Sequence, residues 1–256
     1  MWLLIDIGNS SSKAGLYDPT AGSESVPGEM VATKRFEHQD HLESALNDFL
    51  RGASFARVGA VSVVPAQSRV WEDECRRLLD CQVEFYDENS TLPFDLTYRT
   101  PSTMGNDRIA AAAAGWRRHA VQGHLGVIVI DVGTAINYEV VTKDGVYPGG
   151  VIAGGPGLIR SALRTGTAQL PEVSLAENVS AIGRTTDEAI RSGVMHGVLD
   201  SITGMVARIQ NEMASECEVV LTGGWGQRVQ EALDNGWHFA PDLVLMGISD
   251  LMRLAD

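Results

Sequence analysis

Two stretches of the chain share one pattern of apolar and polar positions. Residues 2–10 read Trp-Leu-Leu-Ile-Asp-Ile-Gly-Asn-Ser, and residues 127–135 read Val-Ile-Val-Ile-Asp-Val-Gly-Thr-Ala. In each, a continuous apolar run ends on an aspartate and a glycine, which predicts a buried β-strand leading into a tight turn. Asp6 and Asp131 lie 131 − 6 = 125 residues apart in a chain of 256. A strand-and-turn unit recurring at half length predicts two similar domains, because the period is too long for a solenoid. Each turn leads into a second strand. The first runs over residues 11–17 and closes on Asp18-Pro19-Thr20; the second runs over residues 138–142 and closes on Lys143-Asp144-Gly145. Both read as hairpins. Residues 58–64, 81–86 and 219–222 predict further short strands. Helical periodicity marks residues 41–51, 68–79, 106–121 (with Gly123 as a C-cap) and 185–213, where Thr185-Thr186-Asp187-Glu188 matches a capping box. Strands alternating with helices predict an α/β class. The boundary falls near residues 115–126, giving domains 1–115 and 116–256.

Composition narrows the function classes. Apolar residues make up 44% of the chain, enough for a sizeable core. The net charge of −13 argues against binding nucleic-acid backbones or anionic lipid. It does not exclude a bound phosphate, because backbone N–H groups and a metal ion hold phosphates locally. No apolar stretch approaches the length of a membrane span. The first residues carry no basic region and their apolar run stops at Asp6, which predicts a first strand rather than a signal peptide. Cys75, Cys81 and Cys217 are odd in number and show no CxxC spacing, so free thiols and a cytoplasmic location are expected.

The chain has no GxxxxGK[ST] loop, no GxGxxG after a strand, no HExxH and no GxSxG. His38 and His41, near Glu37, Asp40 and Glu43, could in principle bind a metal, but the cluster reads as a polar surface helix, which routinely has this composition. The repeated Asp-x-Gly element carries more. A carboxylate at a strand end can hold Mg²⁺, and the following glycine lets backbone N–H groups approach phosphate oxygens. Asn9, Ser10 and Thr134 add side-chain donors. One copy alone is no more than a β-turn; two at matching positions point to a grip on a triphosphate. The glycine-rich residues 148–157 suit either close approach to a ligand or a structural crossover. Thr222-Gly223-Gly224 suits either a nucleotide contact at a strand's carboxyl end or a plain strand–helix turn. In the loop from Tyr98 to Arg108, Asp107 falls in a first helical turn, where the dipole favours an ionised carboxylate able to act as a base. Arg108 could pair with a carboxylate; the alternative is a helix cap with an exposed arginine. Gly193, Gly197 and Gly204 share one helical face, which suggests close helix packing within the chain or across a dimer.

Taken in order, these motifs resemble the type III pantothenate kinases over nearly the whole chain. The matching runs are Asp6–Ser10, Ser62-Val63-Val64-Pro65, Tyr98 with Pro101 and Gly105-Asn106-Asp107-Arg108, and Asp131–Ala135. Gly149–Ile152 with Pro156-Gly157, Thr167–Pro171, Ile182-Gly183 with Thr186, and Thr222-Gly223-Gly224 complete the set. The resemblance implies two ribonuclease-H-like domains of the actin-like ATPase fold with a central cleft for ATP. It also implies transfer of the ATP γ-phosphoryl group to the 4′-hydroxyl of pantothenate, the first step of coenzyme A biosynthesis. A homodimer and a requirement for Mg²⁺ and a monovalent cation, K⁺ or NH₄⁺, come with it.

Residue by residue, the resemblance makes Asp107 the base. It places Asp6, Gly8, Asn9, Ser10 and Lys13, with Gly133, Thr134, Gly223 and Gly224, at ATP and its phosphates. It places Tyr98, Gly105, Asn106, Arg108 and Thr167 at pantothenate. Asp6 would serve Mg²⁺, Asp131 Mg²⁺ or the monovalent cation, and Glu139 the monovalent cation. Here the chain departs from the family pattern, with Asn137 in place of a threonine and Glu139 in place of an aspartate. Two other readings stand beside the kinase: an inactive relative with an accessory role, and an actin-like kinase for another small metabolite.

Overall fold

The computed structural model describes residues 1–22, 27–38, 42–50, 52–120, 125–175 and 180–255. They form two compact units. Residues 1–118 and 242–256 make the first, and residues 119–241 make the second. The division expected from sequence assigned the C-terminal residues to the second domain; here the final helix groups with the first unit.

The first unit opens with β1 (Trp2–Ile7), β2 (Ser11–Gly22) and β3 (Pro27–Glu37). It continues through α1 (Leu42–Leu50), β4 (Arg57–Ser62), α2 (Pro65–Leu79), β5 (Val83–Phe85) and the short β6 (Asp95–Leu96). A 3₁₀ turn at Pro101–Thr103 leads into α3 (Asn106–Gly115), which a π-helical turn, Trp116–Ala120, extends. The second unit contains β7 (Gly126–Val132), β8 (Ala135–Val141), β9 (Val146–Tyr147), β10 (Gly149–Gly154), α4 (Pro156–Gly166), α5 (Thr186–Met213), β11 (Cys217–Thr222), α6 (Gly226–Leu233) and β12 (His238–Phe239). The last helix, α7 (Leu243–Leu254), belongs to the first unit.

The two sheets have the same strand order. The first runs β3-β2-β1-β4-β5 and the second β10-β8-β7-β11-β12. In each, the Asp-x-Gly strand is central. It pairs antiparallel with the strand after its turn (β2 or β8) and parallel with a strand further along the chain (β4 or β11). The repeat expected from the two aspartates is therefore a repeat of whole sheets, and the fold is a two-domain actin-like ATPase fold. The turns differ by one residue. Residues 8–11 separate the paired Ile7 and Ser12, whereas residues 133–135 separate Val132 and Ile136.

Alternating burial follows the strand period. Leu3, Ile5, Ile7, Ala14, Val58 and Ala60 join Leu46, Leu50 and Trp71 of α1 and α2 in one core. Ile128, Ile130, Val132, Tyr138 and Leu221 join Val198, Ile202 and Val229 of α5 and α6 in the other. Period-2 alternation thus sets Asp6 and Asp131 on the opposite sheet faces. In the first unit that face carries α7. Gly15 and Gly59 make room for it: a Cβ built at Gly15 would lie 3.0 Å from Leu245, and one at Gly59 2.4 Å from Met252.

Several elements differ from the sequence expectation. Asp18-Pro19-Thr20 is not a turn. β2 passes through it with a shift of register against β3, and irregular pairing is where a strand tolerates proline. Strand β3 was not anticipated, because its exposed positions Val31, Thr33, Arg35 and Glu37 alternate with only one buried aromatic, Phe36. Helix α2 starts at Pro65 rather than residue 68, with proline at N1 where its missing N–H costs nothing. Val121 and Gly123 of the expected helix end lie outside the described residues, as do Asp40 and His41 of the histidine cluster. The capping box forms with an offset. The Thr185 hydroxyl accepts from Glu188 N–H at 3.2 Å, but Glu188 accepts from Arg184 N–H at 2.7 Å, one residue upstream of the cap. In-chain packing against the glycine face of α5 is absent among the described residues, since a Cβ at Gly193, Gly197 or Gly204 would meet nothing within 4 Å.

Candidate active site

In the first unit, the β1–β2 turn is held by Gly8 N–H donating to the Ser11 carbonyl at 3.1 Å. Asn9 and Ser10 stand exposed at its tip. Asp6 and Lys13 are directly paired across β1 and β2, so they share a sheet face. The Lys13 ammonium lies 2.7 Å from the Asp242 carboxylate at the start of α7. Sequence reasoning missed Asp242. It lies 242 − 13 = 229 residues from Lys13 and no local pattern marks it.

The second group of this unit is the corner that opens α3. Asn106 donates its amide to the Ser62 carbonyl at 3.2 Å, which ties the start of α3 to the end of β4. Expected at substrate, Asn106 thus has an anchoring contact. Arg108 N–H donates to the Gly105 carbonyl at 3.1 Å and to Asp107 Oδ1 at 2.9 Å. The Asp107 carboxylate folds back over Gly105, where a Cβ would lie 2.4 Å from Oδ1. Glycine at 105 is thus a requirement of the carboxylate's position. Burial raises the Asp107 pKa, and the Arg108 N–H and guanidinium only partly offset it. Arg108 is itself buried, with its guanidinium carbon 5.9 Å from the Tyr98 ring centre. The structure therefore brings Tyr98, Gly105, Asn106, Asp107 and Arg108 into one corner.

In the second unit, the β7–β8 turn is closed by Gly133 N–H donating to the Ala135 carbonyl at 2.9 Å. Two backbone segments press against it. Gly155 N–H donates to the Thr134 carbonyl at 3.0 Å, and a Cβ at Gly155 would lie 2.2 Å from the Gly133 carbonyl oxygen. Trp225 N–H donates to the Val132 carbonyl at 2.9 Å. Just before it, Gly223 takes φ +86°, and a Cβ there would lie 2.2 Å from Asp131 Oδ1. Gly224 faces open space. The glycine-rich stretch is thus an edge strand, β10, followed by the close approach at Gly155. Gly155 was not among the expected site residues, although Gly155-Pro156 ahead of a helix is a readable signal.

Glu139 is 1% exposed and accepts a hydrogen bond from the Tyr147 hydroxyl. Thr167 sits exposed at the end of α4, its hydroxyl donating to the Leu163 carbonyl at 2.8 Å. Among the described residues no three His, Cys, Asp or Glu side chains gather as a metal cluster. Mg²⁺ does not need one, since one or two carboxylates with substrate phosphates and water complete its shell, and a strand-end carboxylate such as Asp6 is of that chemistry. A monovalent cation fits less well, because the Glu139 carboxylate is buried and already engaged by Tyr147.

A family model described as type III pantothenate kinase matches residues 2–208. The type III pantothenate kinase of Chlorobaculum parvum is 34% identical over 98% of this chain and 94% of its own length. That of Desulfosudis oleivorans is 30% identical over 97% of each. Among solved structures, a glucokinase from an Antarctic psychrotroph superposes with a TM-score of 0.52 at 11% identity, covering 98% of each chain. A ROK family glucokinase from Streptomyces griseus, in complex with glucose and AMPPNP, superposes with 0.51 at 12% identity, covering 99% of each. At such identities the two structures speak for the fold alone.

Proposed function

This chain belongs to the type III pantothenate kinase family, and from that membership we infer that it transfers the γ-phosphoryl group of ATP to the 4′-hydroxyl of pantothenate, the first step towards coenzyme A. The relatives lend no support to an inactive accessory role or to a different acceptor. The observation that carries the chemistry is the corner at Asp107, a carboxylate with a raised pKa beside the Arg108 guanidinium.

In the proposed mechanism Asp107, ionised, accepts the proton of the acceptor hydroxyl. The freed oxygen forms a bond to the γ-phosphorus as the bond from phosphorus to the ADP oxygen breaks. A pKa raised above the ordinary aspartate value makes the ionised carboxylate a stronger base. Arg108 pairs with the pantothenate carboxylate, with Tyr98 stacked on its guanidinium and Thr167 adding a hydroxyl. Asn9, Ser10, Thr134 and Lys13 serve the nucleotide phosphates with their side chains, Gly8 and Gly133 shape the two turns, and Gly223 and Gly224 add backbone at the nucleotide.

A divalent metal accompanies ATP in this family, and when bound it offsets charge on the phosphate oxygens. We propose Mg²⁺, with Asp6 as a ligand. We propose also a monovalent cation, K⁺ or NH₄⁺, without assigning it a ligand set. Free thiols at Cys75, Cys81 and Cys217 support a cytoplasmic location, and among the described residues no helix is long and apolar enough to cross a membrane. The open glycine face of α5 supports a homodimer. The deciding experiment follows ADP release with Mg²⁺ and either K⁺ or NH₄⁺ present. Pantothenate-dependent turnover, with 4′-phosphopantothenate identified by mass spectrometry, is expected. No turnover under those conditions would overturn the kinase assignment.

A further inference from the structure

We propose that Asp242 is a positioning residue for the phosphoryl donor, holding the Lys13 ammonium beside Asp6 at the carboxyl end of β1. The inference rests on the reading above that Lys13 serves the ATP phosphates. A lysine ammonium ends a stem of four rotatable carbons, and that freedom must be lost before it can meet a phosphate in one place. Here the ammonium is fixed by an ion pair of 2.7 Å to Asp242 Oδ1. Lys13 and Asp6 are cross-strand partners, so the fixed charge sits beside the carboxylate assigned to the metal.

Asp242 stands at the N-cap of α7, where an aspartate ordinarily accepts from the helix's own N–H groups. It makes no such bond here. The carboxylate turns to Lys13 instead, which a purely helix-capping role does not explain. The pair also has little to contribute as a structural tie. The two side chains are 36% and 24% exposed, and ion pairs open to water contribute little to stability. What the pair does provide is a defined place for a positive charge.

The test is a cycle of Asp242→Asn, Lys13→Met and the double variant, with steady-state kinetics for each substrate and thermal unfolding. Asn caps a helix as well as Asp, so Asp242→Asn removes the charge while keeping the cap chemistry. The expected result for Asp242→Asn is an ATP KM raised about tenfold, a pantothenate KM changed less than about twofold, and an unchanged melting temperature. Lys13→Met is expected to raise the ATP KM at least as far, and Asp242→Asn to add nothing in its background. Asp242→Glu, which restores the charge, is expected to recover part of the ATP affinity. It is also the variant read if Asp242→Asn fails to fold, and an Asp242→Glu protein as weak for ATP as Lys13→Met overturns the proposal. So does an unchanged or lowered ATP KM in Asp242→Asn, or additive effects in the double variant. If Lys13→Met itself binds ATP normally, the phosphate role of Lys13 falls as well. Failure of the positioning idea and failure of the underlying site are thereby told apart.

Discussion

Burial and a peptide N–H pull the Asp107 carboxyl in opposite directions, and burial prevails. A carboxyl whose folded pKa lies above its unfolded value costs no stability below the unfolded pKa. It begins to cost stability as pH rises past the unfolded pKa and does so fully above the folded one. Asp107→Asn is therefore expected to lower kcat by at least ~100-fold while leaving the melting temperature at neutral pH equal or higher. Steady-state kinetics and thermal unfolding on the same preparation check both halves. For the wild type, the acid limb of kcat/KM is expected above the ordinary carboxylate range, since activity needs the ionised form and rises with pH through the raised pKa. A limb at the ordinary aspartate value would count against Asp107 as the base. At this scale the sequence was informative where chemistry and spacing are local. Gly105, Asp107 and Arg108 sit within one helical turn, so spacing finds them, although the dipole argument for an ionised carboxylate misses the burial that raises the Asp107 pKa. It was blind where partners are distant. Asp242 meets Lys13 only through the folding of α7 onto β1 and β2, and the anchoring of Asn106 to Ser62 needs β4 in place.

Elements are fixed to one another by a few contacts whose loss should be visible. The Arg118 guanidinium donates to both oxygens of Asp250 on α7, at 2.9 and 3.0 Å, and to Ser249 Oγ at 3.3 Å. Both side chains are largely withdrawn from water, and burial raises the Asp250 pKa against the pull of Arg118. Arg118→Met would leave that carboxylate with the longer contact to Arg117, at 3.7 Å, and the charge of Arg253. A loss of about 3–5 kcal/mol in denaturant unfolding is expected. A second contrast lies between neighbouring glycines. Gly223→Ala places a methyl group against Asp131 and the Val132 carbonyl at a positive φ, so a loss of more than ~1 kcal/mol and weaker ATP use are expected. Gly224→Ala meets open space and is expected to change thermal stability little. Strands with continuous apolar runs and helices with clear caps were legible. Helix α7 was not, because its residues are buried almost all round and so apolar a run reads equally as a buried strand. Strand β3 was not, because its inward side chains are few.

At the scale of the molecule, two sheets of identical strand order carry two aspartates at equivalent places. The half-length repeat anticipated this duplication, since strand-and-turn signals survive in sequence. The return of the chain to the first unit left no such signal. Residues 242–256 complete a core built largely from residues 1–118, with Leu243, Leu245, Ile248, Leu251 and Met252 almost wholly buried. Each such side chain contributes about 1.5–3 kcal/mol by leaving water. A chain cut before Asp242 is expected to expose the first unit to limited proteolysis, while residues 119–241 resist it longer; equal resistance of both units would contradict the assignment of α7. This arrangement also sets an order of events at the ribosome. The first unit emerges early, yet its last helix is translated after the whole of the second. Residues 1–118 must then remain uncapped throughout synthesis of the following half, which makes them the part of the nascent chain that a chaperone has longest to meet.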